Sequence, residues 1–146
     1  TPSDLDSHLV IPSFLPEVFF DQTGTLLTPP YAQLDTDDID GKGPETITIA
    51  APSPEPPPRF SGTYCYFVHK YSNDETSLTS SGASIQVLVG NREIARYAIP
   101  TQGSGDVWEV FRLDGATGAI TTVNTIADRA CGLPPPLNIN TNGPRD

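Results

Sequence analysis

The chain has 146 residues, 36% of them hydrophobic, the size and apolar content of one domain with a single core. Its formal charge of −10 is unevenly placed: nine acidic groups face one basic group in residues 1–45, and nine face seven in the remainder. That balance excludes the basic footprint needed for DNA, RNA or an anionic membrane surface, and no apolar run is long enough to span a bilayer.

In chain order, Leu5-Asp6-Ser7-His8-Leu9-Val10-Ile11 alternates as a strand. Successive side chains point to opposite faces, so Asp4, Asp6 and His8 share one side and Leu5, Leu9 and Ile11 the other. Glu17-Val18-Phe19-Phe20 reads as a second short strand, and Thr23-Gly24 as a turn. Asp35 and Asp37 obey the same two-residue alternation before Asp38 to Gly43 must bend. Further strands are predicted over Thr46 to Ile49, Thr63 to Tyr71, Ala83 to Val89, Glu93 to Ile99, Val107 to Leu113 and Ala119 to Ile126, rich in β-branched and aromatic residues. Ser81-Gly82, Gly90-Asn91, Gly103-Ser104-Gly105 and Asp114-Gly115 supply the turns between them. About eight short strands with hairpin connections predict an all-β fold, an antiparallel two-sheet β-sandwich with a jelly roll as its variant.

Proline marks the exceptions. The segment 52–58 cannot join a sheet ladder and is expected to run as a stiff polyproline II spacer. Residues 1–130 are expected to form the module, and 131–146 a Pro/Asn-rich tail or linker. The chain begins at Thr1 and contains no methionine, as expected of a module excised from a larger protein. Cys65 and Cys131 match no zinc spacing and are read as a disulfide, the alternative being two buried thiols. A disulfide points to an extracellular or cell-surface setting, with the periplasm as the alternative.

Asp4, Asp6, Asp35, Asp37, Asp38, Asp40 and Glu45 gather with His8 into two short segments that contain one cation, Lys42. Like charges so crowded repel unless neutralised, most simply by a metal ion. Calcium is the first expectation, because it takes six to eight oxygens from carboxylates and carbonyls. A mixed site for zinc, manganese or iron through His8, and a merely solvated acidic loop, are the alternatives. The loop is not an EF-hand, since Thr36 and Ile47 fall where carboxylates are required. His69, amid Phe67, Val68 and Tyr71, reads as structural.

The run Ser3-Asp4-Leu5-Asp6-Ser7-His8-Leu9-Val10, the loop Leu34 to Glu45, then Gly62-Thr63-Tyr64 and Val68 to Ser72 resemble the YfaP-like family of bacterial secreted domains of unknown function. The shared motifs are Asp-x-Asp-x-His, Asp-Gly-x-Gly-Pro-Glu and Gly-x-Tyr, covering roughly residues 3–72. The resemblance implies an all-β sandwich found beside adhesion, protease or polysaccharide-related modules. It marks Asp4, Asp6, His8, Asp37, Asp40 and Glu45 as matching positions. The proline segment at 52–58 and the two cysteines depart from the family pattern, and the resemblance brings no activity.

Paired carboxylates could serve glycoside hydrolysis, but a cluster this dense holds a cation better than a proton. The chain has no Gly-x-Ser-x-Gly elbow, phosphate-binding glycine loop or His-Glu-x-x-His, so a metal-dependent hydrolase is the lesser reading. Tyr31, Tyr71 and Trp108 are candidate ligand-stacking rings, although Trp108 between Val107 and Val110 reads more readily as a core anchor. The expected function is a non-catalytic, calcium-binding accessory module for a glycan or cell-surface component. The alternative is a calcium-stiffened structural or protein-interaction domain contacting neighbouring domains of a larger secreted protein.

Overall fold

The computed structural model describes residues 4–12, 17–37, 39, 43–50, 59–72 and 74–136. Among these the chain is all-β. The strands are β1 (Leu5–Val10), β2 (Gly24–Thr25), β3 (Ala32–Thr36), β4 (Thr46–Ile49), β5 (Thr63–Lys70), β6 (Ser84–Val89), β7 (Arg92–Ala98), β8 (Val107–Asp114) and β9 (Ile120–Ala127), with one 3-10 turn at Leu78–Ser80. A four-stranded sheet runs in the order β1-β5-β8-β9, a three-stranded one β2-β3-β4, and β6 pairs with β7, every pairing antiparallel. No helix among the described residues is long and apolar enough to cross a membrane.

Alternation explains which face goes where. Leu9 from β1, Tyr64, Tyr66 and Val68 from β5, and Trp108 and Val110 from β8 point to one side of the four-stranded sheet. There they share a core with Ala32 and Leu34 of β3 and Tyr97 of β7. The two smaller sheets thus cover this face, giving the sandwich-like layering that the alternation predicts. Tyr66 and Phe111 stack at 5.3 Å, and Trp108, fully buried, donates its indole N–H to Asn124 Oδ1 at 2.8 Å.

The strand expected at Glu17 to Phe20 is reduced to isolated bridges, Leu9 with Val18 and Phe19 with Gln22. Thr23-Gly24 is not simply a turn, because Gly24 and Thr25 pair with β3 as β2. Gly24 has φ +73°, and a Cβ there would collide with the Ala32 carbonyl, so close strand approach requires glycine. β3 adds a ninth strand, interrupted by a register shift between Leu34 and Thr36 that local alternation does not reveal. The expected polyproline spacer at 52–58 lies outside the described residues.

The other face of the four-stranded sheet carries a smaller apolar cluster. Phe67, Val107 and Ala130 form a second apolar cluster there, joined by Val10 and Cys131. Cys65 and Cys131 form a disulfide with Cα atoms 5.9 Å apart, so residues from 131 onward, expected to start a tail, are tethered to β5. Glu109 accepts from the Cys131 N–H at 2.6 Å and pairs with Arg112 at 3.1 Å, fastening the same segment to β8.

Candidate metal site beneath an aromatic cleft

In the β1–β5 register Asp6 faces His69 and His8 faces Phe67, and directly opposed residues project from the same side of a sheet. Asp6, His8 and His69 are all buried, at 1%, 5% and 2% exposure. Each offers one ligand atom, and these atoms lie within 4.8 Å of one another.

The imidazole of His8 is held from three sides. The Leu9–Val18 bridge, with backbone hydrogen bonds of 2.9 Å in both directions, seats the 17–22 segment along the free edge of β1. Val18 points into the main core, which turns its neighbours Glu17 and Phe19 toward the opposite face. Glu17 Oε1 meets His8 Nδ1, and the ring stacks between Phe19 at 5.1 Å and Phe67 at 4.5 Å. A carboxylate only accepts, so Nδ1 carries the proton. His8 Nε2 is buried and has no hydrogen-bond partner among the described residues, and His8 is grouped with Asp6 and His69. A carboxylate on one imidazole nitrogen with a vacant lone pair on the other is the arrangement that orients histidine ligands of metals.

Asp6 also belongs to a second group, in which ligand oxygens of Asp6, Asp37 and Glu45 lie within 4.8 Å of one another. Glu45 is drawn to β1 by the Ser7 N–H, which donates to Oε2 at 2.6 Å. Behind it, the Ser7 hydroxyl and the Tyr66 phenol hydrogen-bond at 2.8 Å inside the core. Burial pushes the Tyr66 phenol up to about 12; the Ser7 hydrogen bond opposes the rise and the Glu45 charge adds to it. A third group, Cys65, Glu109 and Cys131, is no metal site, because its sulfurs are joined to each other.

The predicted residues therefore separate. Asp6 and His8 enter the mixed group, and Asp37 and Glu45 join Asp6 in the carboxylate group. Asp4 is buried at the head of β1, where its carbonyl accepts from the Tyr71 N–H at 3.1 Å, and it belongs to neither group. Asp35 is exposed, accepts from Thr48 Oγ1 at 2.6 Å and Gln33 Nε2 at 3.2 Å, and is also in neither. Asp38 and Asp40 lie outside the described residues. His69 and Glu17, which sequence reasoning did not select, complete the arrangement. His69 has the parity of Cys65 and Phe67 on β5, a signal that becomes useful only once the β1–β5 register is known.

Over His8 and His69 opens a cleft of about 360 Å³, also lined by Glu17, Asp21, Phe19, Phe20, Tyr71 and Pro134. Tyr71 is among the residues that line this cleft. Tyr31 instead packs on Phe60 at 5.8 Å and does not line the cleft. Trp108 is corrected outright: at 0% exposure it is a core anchor and has no face to offer a ligand. Comparison with family models, curated proteins and solved structures gives no match.

Proposed function

We propose that this all-β protein is an extracellular accessory module that holds one divalent metal ion between Asp6, His8 and His69 and presents it to a ligand. The observation that carries this reading is a buried His8 whose ring is fixed by Glu17 and two aromatic rings and whose Nε2 has no hydrogen-bond partner among the described residues. His8 offers a ligand atom within 4.8 Å of one from Asp6 and one from His69. Two imidazoles and one carboxylate favour a borderline ion such as Zn2+ and leave one tetrahedral position for an exogenous group. The Cys65–Cys131 disulfide supports an oxidising compartment. Four of the residues that carry the YfaP-like resemblance, Asp6, His8, Asp37 and Glu45, belong to these two groups.

Calcium is the second reading, favoured by the all-oxygen group of Asp6, Asp37 and Glu45. Thermal unfolding with Zn2+, Ca2+ or EDTA separates the two. An ion bound only by the native state, at a hundred times its dissociation constant, adds roughly 2.7 kcal/mol, a shift of several degrees. The first reading expects a zinc-dependent rise lost in His8→Ala and His69→Ala. A calcium-specific rise lost in Asp37→Ala but kept in His69→Ala replaces it with the second, and no shift with either ion overturns both.

A further inference from the structure

Two of the three residues of that group, His8 and His69, also line the 360 Å³ cleft, so an ion held there would adjoin it. We propose that this cleft binds a neutral pyranose ring, one hydroxyl of which completes the coordination of the ion; the inference rests on the metal reading above. Its volume lies within the range that encloses a small organic ligand.

The walls decide the class of ligand by elimination. Phe20 and Tyr71 meet edge to face at 5.4 Å and make an aromatic corner, continued by Phe19 and by prolines from 134 to 136. The charged groups on the described walls are Glu17 and Asp21, with no Lys or Arg. An anionic ligand meets Glu17 and Asp21, which together with Asp6 outnumber the two positive charges of the ion. An ammonium group has no lone pair with which to complete the coordination of the ion. A wholly apolar ligand offers the ion no lone pair and gives the carboxylates no donor beyond the one Glu17 already has from His8. A pyranose meets each requirement: a C–H face for the aromatic corner, hydroxyl donors for Glu17 and Asp21, and a neutral oxygen for the metal. Glu17 can serve both partners, because a carboxylate engaged with His8 Nδ1 keeps further acceptor sites.

The test is calorimetric titration of the zinc-loaded full chain with methyl glycosides of the common hexopyranoses, with glucuronate and with sorbitol. At least one glycoside is expected to bind saturably, and to lose binding in EDTA. Glucuronate should bind at least about tenfold more weakly, and sorbitol, which has hydroxyls but no ring face, not measurably. Phe20→Ala should weaken the glycoside about three- to tenfold while zinc affinity stays unchanged, and Tyr71→Ala, whose ring also meets that of His69 edge-on at 6.2 Å, should weaken the glycoside at least as much. A zinc-loaded protein that binds no glycoside, or binds sorbitol or glucuronate as tightly, overturns the pyranose assignment and leaves the metal reading standing. Glycoside binding that survives EDTA removes the ion from the ligand site. Failure to take up zinc at all overturns the zinc reading and the inference together.

Discussion

Asp6 and His69 are directly opposed across the β1–β5 ladder, and that one register converts two separate stretches of sequence into a donor pair on a single sheet face. His8, two residues along β1, joins them because alternation returns it to the same side. The position of each donor is thus set by the backbone hydrogen bonds of a strand pair rather than by a loop. Sites built on such elements hold their geometry closely.

Glu17 is expected to act through His8. Replacing it with alanine should weaken zinc binding about ten- to a hundredfold, because the carboxylate fixes the His8 tautomer and ring orientation. The Glu17→Gln variant, which keeps an acceptor but not the charge, should fall between the wild type and the alanine variant. Chelator competition measures the affinities, and an unchanged value for Glu17→Ala contradicts the assigned role.

The Tyr66 phenol supplies a pH dependence on the core side of β1. Its native pKa is raised to about 12 from 10.0, chiefly by burial. Between those values the unfolded chain has released the proton that the native state keeps, so stability is complete below pH 10 and declines as pH rises toward 12. The loss is on the order of 2 to 3 kcal/mol. Urea unfolding across this window should show a shallower decline in Tyr66→Phe. That variant starts lower by about 1 to 3 kcal/mol, since the Ser7 hydroxyl loses its partner.

Asn124 does two jobs that alanine cannot. It accepts the Trp108 indole N–H at 2.8 Å and occupies a left-handed backbone conformation, φ +51°. Asn124→Ala leaves a buried donor unpaired and strains the backbone, and should cost about 1 to 3 kcal/mol in chemical denaturation. Asn124→Asp, which retains the acceptor and tolerates the conformation, should recover part of that loss.

The disulfide spans 66 residues, and loop-closure entropy assigns its removal a cost of about 4 kcal/mol. The double variant Cys65→Ala/Cys131→Ala should show that loss in denaturant titrations. Zinc binding, whose donors lie on β1 and β5, should change less than glycoside binding, because Leu133 to Pro136 line the cleft.

Much of this is legible in the sequence, and the limits have physical causes. Alternation assigns Asp6 and His8 to one face and Leu9 and Ile11 to the other, because side-chain direction along a strand is a local property with a period of two. The strand pattern likewise determines the all-β class, and composition the lack of a basic footprint for a polyanion. His69 could not be selected in this way, since its neighbours look like any buried strand. Its place beside Asp6 depends on pairing across a long sequence separation. Glu17 depended on the Leu9–Val18 bridge, which turns it toward His8. Acidity alone also does not separate Asp35 from its neighbours: it accepts from Thr48 and Gln33 on an exposed strand and joins neither group. The sequence by itself determined the element type and the face of each side chain, because these follow from local sterics and hydrophobicity. Only the tertiary structure decided which faces meet, because strand register is settled by burial and hydrogen bonding across the whole sheet.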